Sequence, residues 1–207
     1  MAATKSVTSS TIKEVQRALP KESAYKKGLK RATEKYIKKA QQKLLANFEQ
    51  HPVTLEIGGG TGATNISGTL NGIGNLFSYI GFDSGDQPLN PIRAMLKQYE
   101  IRFHHTKTKT IINITVPTTK DIFKATPLPW ATGRSWAKGI ETGISGLGRY
   151  LNIESARSRS GKGVQTKKTL RAGKFNNTSY LSFLLKEYYK DIRRIEKGTL
   201  YETNLST

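Results

Sequence analysis

The stretch SAYKKGLKRATEKYIKKAQQKLLANF, residues 23–48, decides the first element of the fold. Ser23 is a good helix cap, and Tyr25, Leu29, Ala32, Tyr36, Ala40, Leu44 and Phe48 recur at steps of three or four, which draws one apolar stripe along a helix. The remainder of that helix carries Lys26, Lys27, Lys30, Arg31, Lys35, Lys38, Lys39 and Lys43, with Glu34 the single acid among them. Like charges three and four residues apart on a helix repel. The face is therefore expected to meet a partner rather than water alone.

Working outward, residues 1–22 are rich in Ser, Thr and Ala and read as an N-terminal arm, ordered when a partner holds it. On the other side, after His51-Pro52, residues 53–57 (VTLEI) alternate apolar and polar side chains, the pattern of a strand. The glycine-rich run that follows invites a phosphate-loop reading, but no Gly-Lys-Ser/Thr ending opens a helix there. Gly58, Gly59, Gly60, Gly62 and Asn65 are expected instead to form an interface loop. Residues 75–82 (NLFSYIGF) read as a second short strand. Asn90-Pro91 then opens a helix that carries Ile92, Met95, Leu96 and Tyr99. Residues 100–106 and 110–116 read as a hairpin in which Ile112, Ile114 and Val116 share a face. These elements make residues 23–126 an α+β core domain, a long N-terminal helix packed on a small, mostly antiparallel sheet.

Beyond it the character of the chain changes. Residues 127–154 place Trp136, Ile140, Ile144, Leu147 and Leu151 at helical spacing, with a glycine every few residues. Each interior glycine costs a helix roughly 0.5–1 kcal/mol, so close packing against other backbone is expected there. Residues 155–176 form a basic tongue, with Arg157, Arg159, Lys162, Lys167, Lys168, Arg171 and Lys174 and no acid, expected to be extended and to order on contact. Residues 177–207 close the chain with an amphipathic helix whose stripe is Leu181, Leu184, Leu185, Tyr188, Ile192 and Ile195.

Composition narrows the chemistry. The 207 residues hold 34 Lys and Arg against 15 Asp and Glu, a formal charge of +19, of which +8 falls in residues 1–50, +4 in residues 51–150 and +7 in residues 151–207. Basic ends around an ordinary middle point to a polyanion, nucleic acid or an acidic protein surface. The chain has no cysteine, which excludes disulfides, thiolate metal sites and cysteine nucleophiles, and leaves His51, His104 and His105 as nitrogen ligands. No metal or other cofactor is expected. Glu56, Asp83, Asp86, Glu100, Asp121 and Glu141 show no paired spacing, and no Gly-x-Ser-x-Gly elbow is present, so an enzyme is not expected. No apolar run is long enough for a membrane span or a signal core, which predicts a protein that works where it is made.

The order of a long Lys-rich helix, Pro52-Val53-Thr54, a glycine-rich loop, and Gly81-Phe82 leading into Pro88-Leu89-Asn90-Pro91 resembles the tail-completion or head–tail joining (neck) proteins of tailed bacteriophages. The blocks at residues 72–82 (GIGNLFSYIGF), 129–136 (PWATGRSW) and 177–181 (NTSYL) are similar to those of structural proteins in contractile-tailed phages. The resemblance implies a virion protein, assembled in the host cytoplasm, whose copies form a cyclic ring between the capsid's portal assembly and the tail. Its partners are then other copies, neighbouring portal or adaptor and tail proteins, and, without sequence preference, the DNA that passes through. Lys26, Lys27, Lys30, Arg31, Lys38, Arg134, Trp136 and the basic residues of the tongue are expected to face protein interfaces or a polyanion. The alternatives are a basic nucleic-acid-binding protein of ribosomal type and a terminator, sheath or tube component of the same particle.

Overall fold

The computed structural model describes residues 22–70, 74–106, 109–129, 131–143 and 175–193, the backbone of residues 201–206, and the isolated positions 14 and 18. Residues 144–174, with all the basic residues of the tongue, and the N-terminal arm through residue 21 apart from those two positions lie outside the described residues. The chain divides into two compact units that interleave in sequence. One is built from Met1–Gln42, Gln98–Val116 and Glu187–Thr207, the other from Lys43–Lys97 and Pro117–Lys186. The class is α+β, with a long N-terminal helix, a small sheet and a C-terminal helix, as the sequence predicts.

In the first unit, helix α1 (Ser23–Gln50) contributes its residues up to Gln42. Strands β1 (Glu100–His105) and β2 (Thr110–Thr115) pair antiparallel, with Glu100 opposite Thr115 and His105 opposite Thr110. A further strand, Tyr201–Ser206, lies parallel to β2, in the order β1, β2, C-terminal strand. The hairpin forms although its turn lacks glycine, because Thr106 fastens it: its amide donates to the Lys109 carbonyl at 2.8 Å and its hydroxyl accepts from the Lys109 amide at 3.0 Å. Ile112, Ile114 and Val116 share the buried face. The helix stripe differs from the one read in sequence. Thr33 and Ile37 are buried, whereas Ala32 is exposed and Tyr36 lies at the rim, its hydroxyl donating to the Asp191 carbonyl at 2.9 Å. Steps of four from Leu29 through Thr33 to Ile37 and Gln41 place a branched aliphatic side chain, not a phenol, at the centre of the stripe.

The second unit corrects two strand assignments. Residues 53–57 belong to helix α2 (Pro52–Gly58) and residues 76–80 to helix α3 (Leu76–Ile80). In α2, Pro52 supplies the favoured first-turn φ, the His51 ring accepts from the Val53 amide, and Val53, Thr54, Glu56 and Ile57 are buried while Leu55 is exposed. The pair Val53 and Ile57 satisfies a helical spacing as well as an alternating one, so five residues do not separate the two periods. In α3, Asn75 caps the Ser78 amide and Gly81 ends the helix at φ +90°, a left-handed conformation that glycine adopts without strain. Helix α4 (Asn90–Leu96) begins as read, with Ile92 and Leu96 buried, but ends before Tyr99, which is exposed.

Helix α5 (Thr119–Lys124), which periodicity does not announce, begins with a reciprocal cap between Thr118 and Asp121. A two-stranded ribbon of β3 (Pro127–Leu128) and β4 (Ala131–Ser135) leads into α6 (Trp136–Thr142). Helix α7 (Leu181–Arg193) buries Leu181, Leu184, Leu185, Tyr188 and Ile192, the predicted stripe; Ile195 lies outside the described residues. Trp136, expected at an interface, is instead 1% exposed and meets Phe82 edge-on at 5.8 Å between ring centroids. Its place at the first turn of α6, after Ser135 caps the Lys138 amide, turns the indole inward.

Candidate functional site

The cationic face of α1 is present as read. Lys27, Lys30, Arg31, Lys35, Lys38 and Lys39 are exposed and Lys26 is half-buried. Lys27, Arg31, Lys35 and Lys39 follow one another at steps of four, a single row on the side of the helix away from Leu29, Thr33 and Ile37. Glu34 pairs with Lys30 at 3.9 Å, both largely in water. Among the described residues, none of the four cations in the row has an acidic partner. Each like-charged neighbour pair opposes the helix by about 0.2–0.5 kcal/mol, so the three pairs together cost it about 1 kcal/mol.

The glycine-rich segment is held from within by a carboxylate. Glu56 in α2 is fully buried. One of its oxygens accepts from the Leu76 amide at 2.7 Å and the Asn65 side-chain amide at 2.9 Å, the other from the Ser67 amide at 2.9 Å. Asn65 in turn accepts from the Leu70 amide at 3.0 Å. Asn65 is thus turned toward the loop's own interior. Gly59 has a packing reason: a Cβ there would lie 2.9 Å from that of Ala63. Sequence reading placed Glu56 in a strand, on its polar face. The signal available was an acid three residues after Val53 and one before Ile57, which helical spacing puts on the buried face.

Gly58, Gly59, Gly60 and Thr61 form one wall of a cleft of about 260 Å³, and the 84–89 loop forms the other. Arg93 stands at its edge, but its guanidinium is held by Glu49 in a two-point pair at 2.7 and 2.8 Å. The hydrogen bond from Arg93 keeps the Glu49 carboxyl below its usual range. Gly62 is exposed beside the cleft.

His51 joins two segments of this unit. Nδ1 accepts from the Val53 amide at 3.2 Å, so Nε2 carries the hydrogen and donates to the Ser179 carbonyl at 3.1 Å. The ring lies 4.8 Å from that of Tyr180, whose hydroxyl pairs with Thr54 at 2.8 Å. Burial lowers the His51 pKa, against smaller upward contributions from the Ser179 carbonyl and Glu141. Burial likewise raises the Tyr180 phenol far above its ordinary value.

Arg134 is exposed on β4, in the second unit; Arg157, Arg159, Lys162, Lys167, Lys168, Arg171 and Lys174 lie outside the described residues. Among the described residues, no cluster of three or more histidines and acids is arranged to hold a metal ion, and no helix is long and apolar enough to cross a membrane. No protein-family model, no curated protein and no solved structure matches the chain.

Proposed function

We propose that this chain is a structural protein of a tailed phage, forming a cyclic ring in the neck or tail-completion region between the portal assembly and the tail, and acting by contact rather than catalysis. The observation that carries the reading is the convergence of the sequence blocks on which the resemblance rests. Phe82 from the 72–82 block meets Trp136 from the 129–136 block, and the Thr178 amide of the 177–181 block donates to the Ile140 carbonyl of the helix that Trp136 opens. Blocks distant in sequence thus build one core, as expected of segments that define a fold together. In the same unit Leu55, Ile66 and Phe183 remain 50%, 55% and 51% exposed, apolar surface that neighbouring copies in a ring would cover.

The test is imaging of the particle together with deletion of residues 155–174. The chain should occupy a closed ring at the junction of head and tail, and the deletion should leave the two units folded while head–tail joining is lost. Infectious particles carrying the deleted chain, or a neck without the chain, would refute the reading.

A further inference from the structure

We infer that the outward row of α1, Lys27, Arg31, Lys35 and Lys39, is a contact for the phosphate backbone of duplex nucleic acid, read without sequence preference. The inference uses only this helix face and stands whether or not the chain belongs to a neck ring.

Charge, spacing and what lies between the charges carry it. The four cations span about 18 Å at intervals of about 6 Å along the helix axis. Among the described residues they have no acid to neutralise them. A protein partner would require something else of this face. Protein interfaces have an apolar centre enriched in aromatic residues and are depleted in lysine. Between these cations stand Gly28 and Ala32, both exposed, with no large apolar side chain to bury. Tyr36 lies at the flank, engaged with the Asp191 carbonyl. A surface of long cationic stems and small intervening residues suits phosphates, which reward charge and close approach.

Gly28 is an independent observation. A glycine inside an exposed helix weakens it, and such a residue is retained where packing requires it. Here a Cβ would have nothing within 4 Å, so among the described residues no neighbour asks for glycine. Its lack of a side chain lets a sugar-phosphate backbone come close to the helix between Lys27 and Arg31.

The experiment measures binding of the full chain to a labelled short duplex by fluorescence anisotropy across a salt series. Wild type is compared with a variant carrying Lys27→Gln, Arg31→Gln, Lys35→Gln and Lys39→Gln, and with a control carrying Lys167→Gln, Lys168→Gln, Arg171→Gln and Lys174→Gln. Four phosphate contacts make the slope of log affinity against log salt shallower by about 3.6 in the row variant, so its deficit relative to wild type shrinks about 100-fold between 50 and 200 mM salt. Two duplexes of unrelated sequence should give the same result. Removing like charges relieves repulsion, so a row variant that binds weakly while melting no earlier than wild type has lost the contact and not the fold. Gly28→Leu should weaken binding several-fold with the slope unchanged; unaltered affinity in that variant would overturn the close approach. An unchanged slope in the row variant, or displacement of the duplex by poly-glutamate at equal charge concentration, would overturn the inference, the latter in favour of an acidic protein.

Discussion

Glu141, near the end of α6, accepts both the backbone amide and the hydroxyl of Ser182 in the first turn of α7, the amide at 2.7 Å. A carboxylate from one helix therefore satisfies amide and side chain at the start of another, where backbone donors lack intrahelical acceptors and the helix dipole favours negative charge. Glu141→Ala removes this cap and should destabilise the protein by about 1–2 kcal/mol. Glu141→Gln, which keeps one acceptor oxygen, should lose less. Urea unfolding of both variants tests the order; equal losses would assign the effect to packing.

Glu56 presents a larger liability. Its removal orphans the Leu76 and Ser67 amides, each worth about 1–3 kcal/mol when left unsatisfied, and leaves the Asn65 side-chain amide with only its longer contacts to Ser67 and Thr69. Glu56→Ala should cost about 3–5 kcal/mol on that basis. Hydrogen exchange of the 65–76 amides should accelerate with it. A loss below about 1 kcal/mol would mean that water replaces the carboxylate at little cost.

His51 makes stability depend on pH in a defined sense. Its folded pKa lies below the ordinary 6.5, so the folded state binds fewer protons than the unfolded chain. The contribution is fully present above about pH 6.5 and is lost as pH falls from there through the lowered folded value. His51→Asn retains an acceptor for the Val53 amide but does not titrate. The gap in urea midpoint between wild type and this variant should narrow between about pH 7.5 and 5, a difference in which the background from other histidines cancels. A gap independent of pH would show that His51 does not titrate differently on folding.

Trp136 and Phe183 separate core from surface. Trp136→Ala should cost about 3–5 kcal/mol, because it empties a buried site beside Phe82. Phe183→Ala, at a half-exposed position, should change stability by less than about 1 kcal/mol. If copies of the chain cover that face, the same substitution should impair assembly, as read by sedimentation of assembled particles.

Arg31→Glu tests whether the α1 row is held against repulsion. It turns two repulsive neighbour pairs, with Lys27 and Lys35, into attractive ones while setting a carboxylate three residues from Glu34, and should raise stability by a net of about 0.5 kcal/mol at low salt. The gain should shrink as salt is added. No gain would mean that solvent already screens the row.

Long periodic segments were legible in the sequence. Helix α1 and its basic face, the 100–115 hairpin with Ile112 and Ile114 inward, and the stripe of α7 all follow from patterns repeated over many residues. Short segments were not. In residues 53–57 and 75–82 an alternating and a helical spacing coincide, and the deciding signals were the caps: Pro52 after His51, Asn75 before Leu76 and Gly81 after Ile80. The glycine-rich loop shows the same limit, since Asn65 is one of several polar residues in the 61–69 run until Glu56 is found beneath it.

The amino-acid sequence by itself determined the class of the fold, the charge of α1 and which helices and strands are long enough to be specified by their own period. Only the tertiary structure decided that Ile37 rather than Tyr36 lies inward, that Trp136 is a core residue, and that Glu56, His51 and Glu141 serve as acceptors or caps. Periodicity is a property of one element, readable along the chain, whereas the Ser179 carbonyl that His51 needs and the Ser182 amide that Glu141 needs come from far along the sequence and exist as partners only once the chain has folded.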